Sequence, residues 1–269
     1  MTWAYQKVKT NGIHINIHRT GKGEKPPVVL LHGITDNGLC WTRTARDLEA
    51  DYDVIMVDAR GHGESDKPET GYGPGDHAGD VAGVINKLEL TRPVLIGHSM
   101  GGSTAAHAAA MYGDKLRGVI FIDPPLREPG QGRDPDEVKK WRKGIAQKSK
   151  WSLQDLMQEA RQNGWDELEI EPWATSKQQV SPEVTEYVTA QRTHWRDLLP
   201  RIDVPALLVT GDVENGAIIT PEIAKEAVDL LQLGQHKHIA GTGHNIHRED
   251  YTTCIDAIQA FLSEQLKER

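Results

Sequence analysis

Short apolar runs alternate along the chain with longer amphipathic stretches. The apolar runs are rich in β-branched side chains and too short for helices, so they predict buried strands; they cover residues 28–31, 54–57, 94–96, 119–122 and 206–209. Residues 13–17 alternate strictly between apolar and polar side chains, which is typical of a half-buried strand. The pattern therefore predicts at least six strands.

Between these runs, apolar residues recur at helical spacing. The predicted helices cover residues 39–48, 80–88, 103–111, 223–231 and 254–266. Strands that alternate with helices indicate an α/β fold, a mostly parallel twisted sheet with helices on both faces. Ligands of such sheets bind beyond the carboxyl ends of the strands, so functional residues are expected there.

Residues 126–197 interrupt this alternation, because they contain no strand-like run. The segment opens with the Pro- and Gly-rich residues 127–132 and continues as amphipathic helices. It holds five of the seven tryptophans, namely Trp141, Trp151, Trp165, Trp173 and Trp195. We predict a core domain of residues 1–125 and 198–269, with 126–197 as a helical cap over the sheet. One side of an oligomer interface is the alternative interpretation.

Composition excludes several classes of protein. The 269 residues include 31 Lys and Arg against 39 Asp and Glu, a net charge of −8, which disfavours nucleic-acid binding. No apolar run is long enough for a membrane span, and the first residues lack the apolar core of a signal peptide. Two distant cysteines, Cys40 and Cys254, indicate neither a disulfide framework nor a zinc site. We expect a cytoplasmic monomer or homodimer that acts on a small molecule.

One strand is followed by a candidate nucleophile. The sequence Gly97-His98-Ser99-Met100-Gly101 is a G-x-S-x-G motif between a predicted strand and a predicted alanine-rich helix. A sharp turn there would lift the Ser99 hydroxyl clear of the sheet, where a base can reach one side and a substrate the other. Glycines suit positions 97 and 101 because larger side chains would collide with the strand and the helix. The alternative is a serine in an ordinary tight turn.

The order of these motifs resembles the α/β-hydrolase family over nearly the whole chain. His32-Gly33 follows the first buried strand, a D-x-R-G-x-G-x-S motif follows the next at residues 58–65, and the serine motif follows the third. The resemblance implies a Ser–His–acid triad. It also implies an oxyanion hole formed by the backbone N–H groups of Ile34 and Met100.

A histidine base is expected after the last strand. His244 lies in the glycine-flanked segment Gly241-Thr242-Gly243-His244, where a neutral imidazole could accept the Ser99 proton. Three further histidines, His236, His238 and His247, make a metal site conceivable. No acidic or thiol ligand completes one, however, so we expect neither a metal nor a cofactor.

The identity of the triad acid stays open among three carboxylates. Members similar to this chain often place an aspartate three residues after a glycine that follows the strand after the cap, and Glu214 occupies that position here. Asp212 lies two residues closer to the strand, and Asp123 ends the preceding strand. We take Glu214 as the first candidate.

The predicted reaction is acyl transfer to water. Members of this family that open epoxides or displace halide carry an aspartate at the position of Ser99, so the serine argues against both activities. The sequence also contains no phosphate- or dinucleotide-binding motif. We predict a serine hydrolase that cleaves a carboxylic ester or lactone of a small to medium apolar substrate through an acyl-enzyme. The predicted substrate-binding residues are Gly33, Ile34, Met100, Trp141 and Trp151. The alternatives are amide or C–C bond hydrolysis, or a catalytically idle ligand-binding receptor.

Overall fold

The computed structural model describes residues 3–127 and 134–267, and a sheet of eight strands lies at the centre of that part. The strands are β1 (Ala4–Thr10), β2 (Ile13–Arg19), β3 (Pro27–Leu31), β4 (Asp53–Val57), β5 (Val94–His98), β6 (Gly118–Ile122), β7 (Ala206–Thr210) and β8 (Gly234–His238). Their order in the sheet is β1-β2-β4-β3-β5-β6-β7-β8. β2 pairs antiparallel with β1 and β4, and β3 to β8 run parallel to one another.

The central strands β4, β5, β6 and β7 are buried along their whole length because helices cover both faces of the sheet. The helices are α1 (Thr42–Leu48), α2 (Pro74–Lys87), α3 (Met100–Tyr112), α4 (Pro135–Lys148), α5 (Leu153–Gln162), α6 (Glu167–Gln179), α7 (Trp195–Leu198), α8 (Pro221–Leu230), α9 (Ile246–Glu249) and α10 (Tyr251–Lys267). Alternate residues of one strand enter different cores: Val29 packs in the core that contains α2 and α3, whereas Val28 packs with α1 and α10. The predicted α/β fold is confirmed.

Between β6 and β7, the described residues form helices α4 to α7 and the 3₁₀ segment Pro182–Val188. Two small clusters join these elements to the fold below: Met100 packs with Ile145 of α4 and Val184, and Cys40 packs with Leu156 of α5 and Trp173 of α6. Helix α7 packs in a main core through Trp195 and Leu198. The division into a core domain and a cap over 126–197 remains our interpretation. Of the Pro- and Gly-rich opening of that segment, residues 127–132, all but residue 127 lie outside the described residues.

Two other sequence expectations concern cysteines and membranes. Cys40 and Cys254 are both free and buried. None of the helices in the described ranges combines the length and the apolar character needed to cross a bilayer.

Candidate active site

Ser99 lies in a strained turn at the carboxyl end of β5. Its φ is 52° and its ψ is −114°, and its N–H donates to the Ile122 carbonyl of β6 at 2.9 Å. Side chains at either flanking glycine would prevent this turn: a Cβ on Gly97 would collide with the Gly101 carbonyl, and one on Gly101 would collide with the carbonyl of Leu31. The tight packing of backbone on backbone therefore holds Ser99 above the sheet.

His244 lies beside Ser99, in the loop between β8 and α9. Its Nε2 is 3.1 Å from the Ser99 Oγ, and its Nδ1 is 2.7 Å from Oδ2 of Asp123. With a proton on Nδ1 donated to Asp123, Nε2 is free to accept the serine hydroxyl. The structure thus brings together Ser99 and His244, which the sequence analysis assigned as nucleophile and base.

Asp123 is fully buried and directly follows β6. Its carboxylate also accepts the backbone N–H groups of Ile218 at 2.8 Å and Ile219 at 3.1 Å. These bonds fix both carboxylate oxygens, so the carboxylate is held rigidly against the His244 ring.

The prediction of Glu214 as the partner of His244 is corrected by this geometry. Glu214 is exposed in a short 3₁₀ turn (Val213–Asn215) after β7. β6 is the neighbour of β5 in the sheet, whereas β7 lies one strand further away, so the end of β6 is better placed to reach the serine side. Asp212 is also engaged elsewhere, because its carboxylate binds His238 Nε2 at 2.9 Å and the Gly241 N–H at 2.6 Å.

Two buried histidines support the His244 loop. His98 Nε2 donates to the His244 carbonyl at 2.8 Å, and the His98 ring packs in a tilted arrangement between the rings of His244 and His247, with centroid distances of 4.7 and 4.4 Å. Burial lowers the pKa of His98 and of His247 well below the usual value. Both rings are therefore neutral, and they pack together without charge repulsion.

The proposed oxyanion donors border the same space. Ile34 and Met100 both line the cavity at Ser99, and the Met100 N–H is the first of helix α3, where amides have no partner within the helix. Gly33 precedes Ile34 under the His98 ring, and a Cβ there would lie 2.8 Å from His98 Nδ1. The chain at Gly33 can pass this close to His98 only because it has no side chain.

A buried ion cluster anchors the loop that carries Ile34. The Asp36 carboxylate accepts from Lys177 Nζ at 2.7 Å and from Arg248 Nη2 at 3.0 Å, and Lys177 also donates to the Thr35 carbonyl at 2.8 Å. Burial opposes the charge on Asp36, but the cations Arg248 and Lys177 outweigh it and hold the pKa of Asp36 well below its usual value. The loop is thereby tied to α6 and to α9.

Glu169 completes this cluster from α6. Burial raises its pKa to about 7, although the Arg248 Nε atom, 3.6 Å from Oε2, acts in the opposite direction. Near neutral pH, Glu169 therefore carries only part of a negative charge.

A cavity of about 660 Å³ opens at Ser99. Of the predicted substrate-binding residues, Gly33, Ile34, Met100 and Trp141 line this cavity, whereas Trp151 does not: its side chain is half exposed and packs beside Lys148. Trp165, between α5 and α6, and Trp173 of α6 line the wall instead, and their rings meet edge to face at 4.9 Å. The sequence analysis also missed five cationic residues of the lining: Arg127, Lys148, Lys177, Arg192 and Arg248.

The other histidines that suggested a metal site lie apart from the cavity. The Thr210 hydroxyl lies 2.8 Å from His236 Nε2 and 3.2 Å from His238 Nδ1. Across residues 3–127 and 134–267, no group of three potential ligands is arranged to hold a metal ion.

Comparisons with known proteins agree with this architecture. Residues 26–251 match a family described as having the alpha/beta hydrolase fold. A 2-(acetamidomethylene)succinate hydrolase of Mesorhizobium japonicum is 41% identical over 118 residues, a match that spans 44% of this chain and 42% of the relative. The N-formylmaleamate deformylase of Pseudomonas putida is 28% identical over 96% of both chains. A thermophilic esterase of Thermogutta terrifontis, solved with malate bound, superimposes with a TM-score of 0.76 at 26% identity, over 97% of this chain and 99% of the esterase.

Proposed function

This chain belongs to the alpha/beta hydrolase family, and on that premise we propose that it is a serine hydrolase that acts through an acyl-enzyme. The observation that carries the proposal is the relay from Ser99 through His244 to Asp123, with steps of 3.1 and 2.7 Å, at the edge of a cavity large enough for a small substrate. A hydroxyl, an imidazole and a carboxylate in this order are the parts that nucleophilic acyl transfer requires.

In the first half-reaction, His244 Nε2 takes the proton of the Ser99 hydroxyl while Oγ attacks the substrate carbonyl. Asp123 keeps the other imidazole proton on Nδ1 and stabilises the cation that forms. The negative charge on the tetrahedral oxygen is bound by the N–H groups of Ile34 and Met100, each worth about 3–4 kcal/mol in such sites. His244 then gives its proton to the leaving group, and the acyl group stays on Ser99.

In the second half-reaction, a water molecule replaces the leaving group. His244 removes its proton as it attacks the acyl-enzyme, the same oxyanion donors hold the second tetrahedral intermediate, and Ser99 leaves with the proton returned by His244. The product is a carboxylic acid, and the enzyme returns to its starting state without a cofactor.

The bond we expect to be cleaved is a carboxylic ester or lactone, the least demanding use of this triad. The similarity to the Thermogutta esterase supports an ester. Amide hydrolysis is the second candidate, because one relative is named for an acetamido compound and the other as a deformylase of an N-formyl compound.

A matched pair of chromogenic substrates tests the proposal. 4-Nitrophenyl acetate and 4-nitroacetanilide share one acyl group and differ in the bond that is cleaved. We expect turnover of the ester that falls at least ~10³-fold in Ser99→Ala. Comparable kcat/KM for the anilide would assign the protein to amides. Ligand binding without turnover of either compound would support the receptor alternative.

A further inference from the structure

The cavity at Ser99 has the opposite charge balance from the chain as a whole. The whole chain has more acidic than basic residues, with a net charge of −8. Among the described lining residues, however, Asp36 is the one carboxylate. Five cations surround it there, and we call them the cavity cations: Arg127, Lys148, Lys177, Arg192 and Arg248. If the lining had the same composition as the whole chain, it would contain more acidic than basic residues.

Three of the cavity cations already have carboxylate partners. Lys148 Nζ lies 2.5 Å from Glu159 Oε1, and Lys177 and Arg248 share Asp36. Asp36 thus offers one negative charge to two cations, and Glu169, which is not part of the lining, lies 3.6 Å from Arg248 Nε. Lys148 and Lys177 also lie 4.9 and 4.7 Å from the centre of the Trp173 ring, so both cations border the aromatic wall of the cavity. The lining nevertheless holds more cationic than anionic side chains.

Arg192 differs from these three. Its guanidinium donates to the Tyr187 carbonyl and lies 5.0 Å from the centre of the Tyr187 ring. Within the described ranges, no carboxylate lies at ion-pair distance from it, and its side chain is only partly exposed. A guanidinium that is partly withdrawn from water without a counter-ion is a ready partner for an anionic ligand, because its planar fork matches the two oxygens of a carboxylate.

We infer that the substrate carries a carboxylate in addition to the acyl group cleaved at Ser99, and that Arg192 binds this carboxylate. The acyl part of the inference rests on the proposed function, whereas the binding part does not. The other cavity cations add to the attraction, since charges interact more strongly in a site from which water is excluded. The apolar and aromatic lining packs against the carbon chain between the two groups.

Equilibrium binding tests the charge requirement without any turnover. Titration calorimetry on the full chain compares glutarate with glutaramide, which has the same carbon chain and no charge. We expect glutarate to bind at least about tenfold more tightly, as the loss of charge-assisted hydrogen bonds implies. Equal affinities for the two compounds would overturn the inference.

Variants test the role of Arg192. Arg192→Gln should weaken glutarate binding about tenfold or more. Arg161→Gln is the matched control, because Arg161 is exposed, pairs with Glu167 and lies outside the cavity, and it should bind glutarate like the wild type. If Arg192→Gln does not fold, Arg192→Lys keeps the charge but loses the fork and should give an intermediate affinity. A folded Arg192 variant that binds glutarate with wild-type affinity would show that Arg192 does not bind the carboxylate.

A kinetic arm separates this inference from the proposed function. Mono-4-nitrophenyl glutarate and 4-nitrophenyl pentanoate have acyl chains of equal length, and only the first has a carboxylate. We expect a higher kcat/KM for the glutarate ester and a ratio that falls about tenfold or more in Arg192→Gln. Hydrolysis of both esters without this preference would contradict the inference alone. Selective glutarate binding without hydrolysis of either ester would contradict the proposed function alone.

Discussion

Oδ2 of Asp123 lies 2.7 Å from Nδ1 of His244, although the two residues are 121 positions apart in the chain. Asp123 directly follows β6, the strand beside the one that ends at the serine turn. The same carboxylate is held by two backbone N–H groups of the segment after β7. Asp123 therefore connects three consecutive strand ends of the sheet, and on this geometry we propose it as the triad acid.

Asp123→Asn should lower kcat by about 10⁴-fold, because an amide favours the wrong imidazole tautomer. Glu214→Gln is the matched control: Glu214 is exposed and outside the relay, so its kcat should stay close to that of the wild type. Steady-state kinetics with 4-nitrophenyl acetate distinguish the two. A severe loss of kcat in Glu214→Gln, together with an active Asp123→Asn, would show that Glu214 is the triad acid.

Asp36→Asn should destabilise the fold by about 3–5 kcal/mol, because it leaves the buried cations Lys177 and Arg248 without their shared carboxylate. Urea unfolding measures the change. The control is Asp229→Asn, which breaks an exposed pair with Lys225 and should cost less than about 1 kcal/mol. Equal losses in the two variants would show that the buried cluster does not stabilise the fold.

The contribution of Asp36 to stability depends on pH in a defined direction. Because the folded protein holds the pKa of Asp36 well below 3.8, this contribution is complete above that value and is lost as the pH falls through the folded pKa. The stability difference between wild type and Asp36→Asn should therefore shrink in acid, as the pH falls below 3.8. A difference that grows in acid would contradict the ion cluster.

Gly101→Ala should lower the free energy of unfolding by about 2 kcal/mol or more and impair turnover, because its Cβ would collide with the Leu31 carbonyl under the serine turn. Gly75→Ala is the matched control in helix α2, where the added Cβ meets nothing within 4 Å. This change should leave stability equal or raise it by up to about 1 kcal/mol. Thermal unfolding compares both variants, and a harmless Gly101→Ala would refute the close approach of backbone to backbone.

The sequence predicts the central sheet well because each buried strand is a continuous apolar run. The pattern of apolar residues does not predict β1, because most of its side chains are exposed. Its backbone pairing with β2 holds it at the edge of the sheet. The positions of Ser99 and His244 follow from glycine-flanked segments at strand ends, which is a local signal.

The remaining parts of the site depend on contacts that no local pattern encodes. The order of the strands in the sheet determines which of the three carboxylates reaches His244. This order cannot be deduced from the order of the strands along the chain. Lys177 and Arg248 meet Asp36 across 141 and 212 positions. In the sequence, such cations cannot be distinguished from those on a solvated helix face. The cluster of cations in the cavity lining is therefore seen only in the three-dimensional structure.

Covalent labelling of Ser99 is the most direct test of the central claim, that its hydroxyl is a nucleophile activated by His244. A fluorophosphonate should add one label per chain, on the peptide that contains Ser99, as located by tandem mass spectrometry. Ser99→Ala should take up no label, and His244→Ala should react far more slowly. Labelling of another residue, or undiminished labelling of Ser99→Ala, would contradict the account.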